Sequence, residues 1–171
     1  SRYWGGLPGK LLIGLLILLP AWQGLVLLKQ WPQANMLIIA VMVLVWGADI
    51  GAYFAGKAFG KRKLAPSVSP GKSWEGLYGG LLASLLITAA VGLQQGWQVK
   101  GFVLALAGAA LVVLVSVVGD LTESMFKRQS GIKDSSNLLP GHGGVLDRID
   151  SLTAAVPLFA VLLWLAGWGA L

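Results

Sequence analysis

The sequence predicts an all-α polytopic membrane protein, a bundle of about five transmembrane helices with a polar site on its cytoplasmic side. Composition is the first indication, because 56% of the 171 residues are hydrophobic and only 12% are charged. Soluble domains carry about 25% charged residues. The second indication is that the few charges leave five long uncharged runs. Each run is close to or above the length of about 20 residues that a helix needs to cross a bilayer.

These uncharged runs cover residues 11–28, 30–48, 76–99, 101–119 and 151–171. Tryptophans lie near several run ends, where amphipathic rings favour the headgroup level. We therefore expect helices at about 8–28, 34–56, 74–95, 100–126 and 151–170, which form a single transmembrane domain. The chain begins with Ser1 rather than Met, and no small-residue cleavage site follows the first run. That run is thus not a cleavable signal, and we expect the chain to be the C-terminal part of a longer one.

The basic residues indicate how the bundle is oriented. Of 13 Lys and Arg, only Lys29 and Lys100 fall in the first and third loops. The others precede the first helix or lie in the second and fourth loops, which predicts that the N-terminus and both of these loops are cytoplasmic. The absence of cysteine excludes disulfides and thiolate metal sites.

The acidic residues all fall at or near the same predicted side. Asp49 lies within an apolar run, where a carboxylate costs about 2.5–3.5 kcal/mol and usually faces a cavity or a partner. The alternative is a helix that ends near Gly47 and leaves Asp49 at the surface. Asp120 ends the fourth run, and Glu123 follows one helical turn later. We expect Asp49 and Asp120 to share one polar site.

Residues 124–150 form the densest polar segment, with four cations, three acids and the only histidine. Asp147 and Asp150 share a face if the fifth helix has begun by then. With Asp120 they offer the oxygen ligands that Mg²⁺ takes together with substrate phosphates. The alternative is that Asp150 or Ser151 caps the fifth helix.

Glycines surround His142 in this segment and would let backbone N–H groups approach an anion. His142 could donate to a phosphate oxygen, and a purely structural histidine is an equal alternative. One histidine without cysteine does not favour zinc.

Residues 69–73 end like a phosphate-binding P-loop, but Pro66 stands where the first glycine is required. Lys72 remains a candidate phosphate contact. Close helix packing is the role we predict for three following glycines, Gly76, Gly79 and Gly80. Carboxylates, cations and a glycine loop together indicate phosphoryl or nucleotidyl transfer, which needs positioning and charge neutralisation more than a protein nucleophile.

A spaced pattern runs through the polar segment. Its positions are Ser124, Lys127, Arg128, Lys133, Asp134, Pro140, His142, Gly143, Gly144, Asp147, Arg148 and Asp150. The pattern resembles the signature of the bacterial phosphatidate cytidylyltransferases, or CDP-diacylglycerol synthases. Upstream, WGADIGAYFAGKAFGKRKLAPSVSPGKSWEG and VGDLTES extend the likeness over residues 46–155.

The resemblance implies that the domain is catalytic and converts CTP and phosphatidic acid to CDP-diacylglycerol and pyrophosphate. It implies Mg²⁺ as a cofactor and leaves a second, monovalent cation open. CTP, phosphatidic acid and membrane lipid are the expected partners; nucleic acid is not, and a homodimer stays open. The expected location is the bacterial inner membrane, with the active site toward the cytoplasm.

The resemblance also implies roles for individual residues. The expected catalytic residues are Asp120, Asp147, Lys72, Lys133 and Arg148. The expected metal ligands are Asp120 and Asp147, followed by Asp150 and Asp49. The expected substrate-binding residues are Lys127, Arg128, His142, Gly143, Gly144, Ser124 and Asp134.

Three other functions compete with this one. A CTP-dependent lipid kinase would need a base for the lipid hydroxyl, and Asp134 or His142 could serve. An ion-coupled transporter would use Asp49 as an ion site, but it would need polar residues along several helices, and the first, third and fifth runs are almost wholly apolar. A CDP-alcohol phosphotransferase would need a longer series of spaced aspartates than this chain has.

Overall fold

The computed structural model describes residues 6–132, 135–136, 144 and 146–167. Within these residues the chain forms five helices, α1 (Gly6–Gln30), α2 (Ala34–Phe59), α3 (Trp74–Gln94), α4 (Val99–Gln129) and α5 (Leu146–Leu165). The predicted helical architecture is confirmed. A two-stranded antiparallel hairpin, β1 (Lys63–Ala65) and β2 (Ser69–Ser73), lies between α2 and α3 and was not predicted.

Four helices of the described chain are long and apolar enough to cross a membrane by length and composition. They are α1 to α4, and α5 contributes a shorter apolar segment, Ile149–Leu165. The fifth span is shorter than expected because α5 ends at Leu165 rather than at residue 170. Leucine, valine and aromatic side chains cover much of the outer surface, which is the surface that lipid would solvate.

Helices α2 and α3 approach each other through glycine. A Cβ at Gly79 would collide with the Cβ of Ala55, and one at Gly80 would lie 2.8 Å from the carbonyl oxygen of Ala48. Gly76 is similarly crowded by the backbone of α2. The predicted packing role of Gly76, Gly79 and Gly80 is therefore confirmed, because only a residue without a side chain lets the two backbones come this close.

The core lies where α2, α4 and α5 meet. Its buried residues are Val41, Leu44, Val45, Ala48, Ala109, Val112, Val113 and Ala155. A smaller cluster of Leu28, Leu37 and Ala160 joins α1 to α2 and α5. All of these residues are apolar, so packing rather than polar contact holds the helices together.

The start of α5 shows whether Asp147 and Asp150 belong to one helix and whether Asp150 or Ser151 caps it. The helix begins at Leu146, five residues before the expected start of 151–170. Asp147 therefore lies in the first turn, and Asp150 follows within the same helix. Capping by Asp150 or Ser151 is wrong, since both residues lie beyond the helix start.

The C-terminal ends of α2 and α4 and the N-terminal ends of α3 and α5 share one end of the bundle, because consecutive helices alternate in direction. The hairpin and the described residues between α4 and α5 lie at this end, which we call the site end. α2 continues to Phe59. The alternative in which it ends near Gly47 is therefore wrong, and Asp49 is held within a helix.

Candidate functional site

An ion pair between Lys72 and Asp120 connects the hairpin to α4. Lys72 Nζ contacts Asp120 Oδ2, and Ser124 Oγ donates to Asp120 Oδ1 at 3.3 Å. The two charged side chains are 27% and 22% exposed, so a ligand entering from the site end could reach both. Asp120 and Ser124 lie one helical turn apart on α4, which places both side chains on one face.

The hairpin and the start of α3 fix the position of Lys72. The next residue, Ser73, caps α3, because its Oγ accepts from the N–H of Gly76 at 3.1 Å. Glu75 accepts hydrogen bonds at 3.2 Å from the backbone N–H groups of Lys61 and Arg62. It also accepts from Arg62 Nε at 3.1 Å. Both strands are thus tied to the first turn of α3.

Asp49 of α2 and Asp150 of α5 lie close enough to Asp120 to interact with it electrostatically. We call Asp49, Asp120 and Asp150 the aspartate cluster. Lys72 opposes the charge of Asp49, and Ser151 lies near the Asp49 carboxylate. The structure thus brings Asp49 and Asp120 near each other, and their shared polar site stays a prediction.

Charge within the aspartate cluster is not balanced by Lys72 alone. Three carboxylates from three helices interact electrostatically, and Lys127 is the positive charge that acts on Asp150. Like charges at such separations repel, and the repulsion is strong where water is partly excluded. The arrangement therefore favours binding of a further cation.

Asp147 belongs to a different set of contacts. Its Oδ1 accepts from Lys127 Nζ at 2.7 Å, and its Oδ2 accepts from the backbone N–H groups of Ser135 at 2.9 Å and Gly144 at 2.7 Å. Ser135 Oγ also donates to Oδ2 at 2.9 Å. Burial alone would raise the pKa of Asp147, but the ion pair and the three further hydrogen bonds hold that pKa well below its usual range.

Glu123 lies beside this contact set. Its Oε1 is 3.3 Å from Lys127 Nζ but is buried without a hydrogen bond from any described residue. The side chains of Lys127 and Glu123 are 14% and 16% exposed. Lys127 therefore carries its charge between two carboxylates at the edge of the apolar bundle.

The contacts separate the four predicted metal ligands into two groups. Four donor groups of the described residues already hydrogen-bond to the oxygens of Asp147, so these oxygens do not fit a metal ion without rearrangement. The aspartate cluster fits better, through its excess negative charge and hard oxygen donors. Its carboxylates do not form a three-ligand group in the described chain, and Mg²⁺ commonly needs only one or two carboxylates plus substrate phosphates.

The remaining predicted site residues do not all lie at the aspartate cluster or beside Asp147. Arg128 is exposed at the end of α4. Arg148 belongs to α5, and the described structure does not extend to its side chain. Gly144 donates its N–H to Asp147 rather than pointing it toward an open site. Four predicted residues lie outside the described residues: Lys133, Asp134, His142 and Gly143.

The sequence did not predict the roles of Glu75 and Ser135. A signal for Glu75 exists, since an acidic residue two positions after a serine cap is typical of a helix start. No local pattern marks Ser135, whose contact with Asp147 depends on the path of the α4–α5 connection.

Comparison with known proteins identifies the family. The profile of the cytidylyltransferase family matches residues 8–166. A Pseudomonas aeruginosa protein named phosphatidate cytidylyltransferase is 83% identical over 168 residues, which are 98% of this chain and 62% of that protein.

More distant proteins of the same name occur in other bacteria. Identity is 58% to the Haemophilus influenzae protein over 72% of this chain and 44% of that protein. It is 44% to a Staphylococcus aureus protein over 74% of this chain and 48% of that protein. The matched part of the chain thus spans 44% to 62% of the length of these curated relatives. Since the family profile covers nearly all of it, the chain belongs to the cytidylyltransferase family.

Proposed function

We propose that the protein containing this chain is a phosphatidate cytidylyltransferase, which transfers the cytidylyl group of CTP to phosphatidic acid in phospholipid synthesis. The observation that carries the proposal is the convergence of Lys72 and the aspartate cluster at one end of an apolar bundle. Such a site offers one face to water, where CTP is dissolved, and one to the bilayer, where phosphatidic acid resides. The names of the similar proteins support the same reaction.

The reaction needs little acid–base chemistry from the protein. A phosphate oxygen of phosphatidic acid attacks the α-phosphorus of CTP, and the bond from that phosphorus to the bridging oxygen of the β-phosphate breaks. Pyrophosphate leaves with the bonding electrons. A phosphate monoester has its second pKa near 6 and is largely dianionic at neutral pH, so no strong base is required.

Neutralising charge is the main task that remains for the chain. Lys72 is placed to contact a phosphate oxygen of CTP, with Asp120 orienting its ammonium group until the nucleotide binds. Lys127 is similarly held by Asp147. Preorganised charges of this kind stabilise a developing anion most where water is excluded.

The aspartate cluster would hold Mg²⁺. When bound, the ion would offset negative charge on the departing pyrophosphate. Lys72 would move from Asp120 toward the nucleotide as a cation replaces it beside the carboxylates. A second, monovalent cation could share the same carboxylates.

We propose that the protein lies in a bacterial inner membrane with the site end toward the cytoplasm. Most basic residues lie at this end. CTP would then reach the site from the compartment in which it is made.

Labelled CTP tests the proposal with the full-length protein in vesicles that contain phosphatidic acid. With label on the α-phosphate, radioactivity is expected in extracted lipid, and with label on the γ-phosphate it is expected in pyrophosphate. Transfer of γ-label to lipid would overturn the proposal in favour of the lipid kinase. Diacylglycerol vesicles serve as the control, since they supply the hydroxyl that a kinase needs but no phosphate nucleophile.

A further inference from the structure

A largely apolar groove with a volume of about 590 Å³ separates α1 from α4. Its floor is α5, at Ala154 and Pro157, and its walls are residues 13–20 of α1 and 115–130 of α4. We call it the α1–α4 groove. It exists because α1 and α4 both pack on α5 but make little contact with each other. The α4 wall is about 22 Å long, which corresponds to about four helical turns.

The two walls of the α1–α4 groove are apolar but not covered by the described chain. Leu16 of α1 and Val118 of α4 line the groove, and both side chains are exposed. Of the four helices that are long enough to span a membrane, α1 is the least buried within the described structure. The first half of α1 therefore packs on α5 and has room for a second neighbour.

Gly14 lies on the α1 wall of the groove. Two other helical glycines, Gly24 of α1 and Gly119 of α4, face α5 so closely that a Cβ would lie 2.7 Å from Pro157 and 2.6 Å from Ala154, respectively. A Cβ at Gly14 would meet no atom within 4 Å. Glycine is unfavourable inside a helix, and in membrane proteins it commonly marks the close approach of a second helix. The described part of the chain does not supply that helix at Gly14.

The end of the groove nearest the site end carries net negative charge. Its described charged groups are Glu123 and Lys127, and Lys127 also contacts Asp147. Two carboxylates thus share one ammonium group. Glu123 Oε1 is buried without a hydrogen bond from any described residue, which is costly where water is excluded. An occupant that brings a hydrogen-bond donor, above all a positively charged one, would satisfy this oxygen.

These properties favour a helix over a lipid as the occupant. An acyl chain would fill the apolar part of the groove but has no donor for Glu123. A phospholipid headgroup would bring a phosphate toward two carboxylates, and like charges repel. A helix suits both parts of the groove, because apolar side chains would pack along the walls while one Lys, Arg, Asn or Gln reaches Glu123.

The length of the relatives indicates where such a helix would come from. More than a third of the Pseudomonas aeruginosa protein lies outside its match to this chain. A full-length protein of that size has room for at least one further helix of about 20 residues.

We propose that a transmembrane helix from the part of the full-length protein outside residues 1–171 occupies the α1–α4 groove. It packs against Gly14 and donates a hydrogen bond to Glu123. The rest of the protein is thereby joined to the bundle beside Lys127, next to the site end. This inference goes beyond the proposed function and does not depend on the reaction that the protein catalyses.

Photocrosslinking of the full-length protein in its native membrane identifies the occupant. With p-benzoylphenylalanine in place of Val118, crosslinked peptides are expected to join α4 to a helix outside residues 1–171 of the same chain. That helix should carry Lys, Arg, Asn or Gln within about two turns of the captured residue, because Glu123 lies between one and two turns from Val118. Leu82 of α3 is the matched control position, since Leu82 and Val118 are both 60% exposed and Leu82 does not line the groove. The control should not capture the same helix.

Substitution of Gly14 tests the close packing. In the full-length protein, Gly14→Leu is expected to lower the melting temperature in detergent by about 3 °C or more, because the larger side chain overpacks the contact with the added helix. Gly101→Leu is the matched control, since Gly101 is also helical, a Cβ there would meet no atom within 4 Å, and it does not line the groove. Its melting temperature should stay at the wild-type value.

The contrary results are equally definite. Crosslinks from position 118 only to lipid, to another part of residues 1–171 or to a second copy of the protein would overturn the proposal. A captured helix without a donor near Glu123 would overturn it as well. If lipid fills the groove, Gly14→Leu should leave the melting temperature unchanged or raise it, because leucine favours a helix more than glycine does. Neither measurement needs CTP or turnover, so failure of the proposed function would leave this inference standing.

Discussion

Lys72 and Asp120 form an ion pair although 48 residues separate them in the chain. One residue lies on a short strand and the other on α4, so the pair connects the hairpin directly to the helix bundle. Asp49 interacts electrostatically with both residues, and Asp150 interacts with Asp120. The ion pair therefore joins the positively charged and negatively charged parts of the proposed site.

Removing the charge of Lys72 is the first test of that relationship. Lys72→Met is expected to lower kcat by about 10²–10³-fold, because a preorganised phosphate contact is lost. Pyrophosphate release by the full-length protein in phosphatidic acid vesicles measures the effect. Lys63→Met is the matched control on the other strand, where the side chain is exposed. A Lys72→Met protein with activity near that of the control would contradict the assignment.

Asp120→Asn and Asp147→Asn should differ in their response to magnesium. Asp120→Asn is expected to raise the Mg²⁺ concentration that gives half-maximal activity, because a carboxylate of the aspartate cluster is lost. Asp147→Asn is expected to lower kcat by about 100-fold or more without shifting that concentration, because Asp147 positions Lys127 and the α4–α5 connection. Titration of activity with MgCl₂ separates the two cases. A shifted midpoint for Asp147→Asn would instead make it a metal ligand.

The Asp147→Asn defect should also be independent of pH across the neutral range. The hydrogen bonds that lower the pKa of Asp147 keep it ionised, so its contribution is present above its ordinary pKa and is lost only in strong acid, as the pH falls through the lowered value. We expect the ratio of wild-type to variant activity to stay constant from about pH 6 to pH 9. A ratio that falls toward the acid end of this range would show that Asp147 titrates there.

Glu75 should act as a positioning residue for Lys72. Glu75→Ala removes the acceptor of the Lys61 and Arg62 N–H groups and is expected to lower kcat about tenfold, as loss of a hydrogen bond to a charged group would. Glu75→Gln retains an acceptor oxygen and should restore most of the activity. If the two variants are equally impaired, the negative charge rather than the hydrogen bonding of Glu75 is what matters.

Packing between α2 and α3 can be tested without touching the site. Gly79→Ala is expected to destabilise the protein by about 1–3 kcal/mol, the usual cost of an overpacked contact. Thermal unfolding in detergent measures the change. Gly101→Ala is the control, because its Cβ would meet nothing within 4 Å. Equal melting temperatures for the two variants would show that α2 and α3 separate easily at Gly79.

Much of this architecture could be predicted from the distribution of charge. Long uncharged runs predict helices because lipid solvates no exposed backbone. Asp49 is conspicuous within such a run, and its cost predicts a polar neighbourhood. The hairpin is different, because strands of three and five residues that include Pro70 and Gly71 carry no hydrophobic alternation.

The sequence does not predict that the acidic residues divide into two sets of contacts. Asp147 and Asp150 are three residues apart on one helix, and their spacing predicts a shared role. In the structure, Asp147 accepts from Ser135 and Gly144, whereas Asp150 interacts with Asp120. The positions of Ser135 and Gly144 make this difference, and no periodic pattern in the sequence predicts them.

The hairpin makes the site sensitive to the insertion or deletion of a single residue. Successive side chains of a strand point to opposite sides. Lys72 accordingly contacts Asp120 while its neighbour Ser73 turns the other way to cap α3. Loss or gain of one residue within β2 would exchange these two directions and aim the lysine away from the carboxylates. The number of residues in β2, rather than the length of any helix, thus determines whether Lys72 reaches the aspartate cluster.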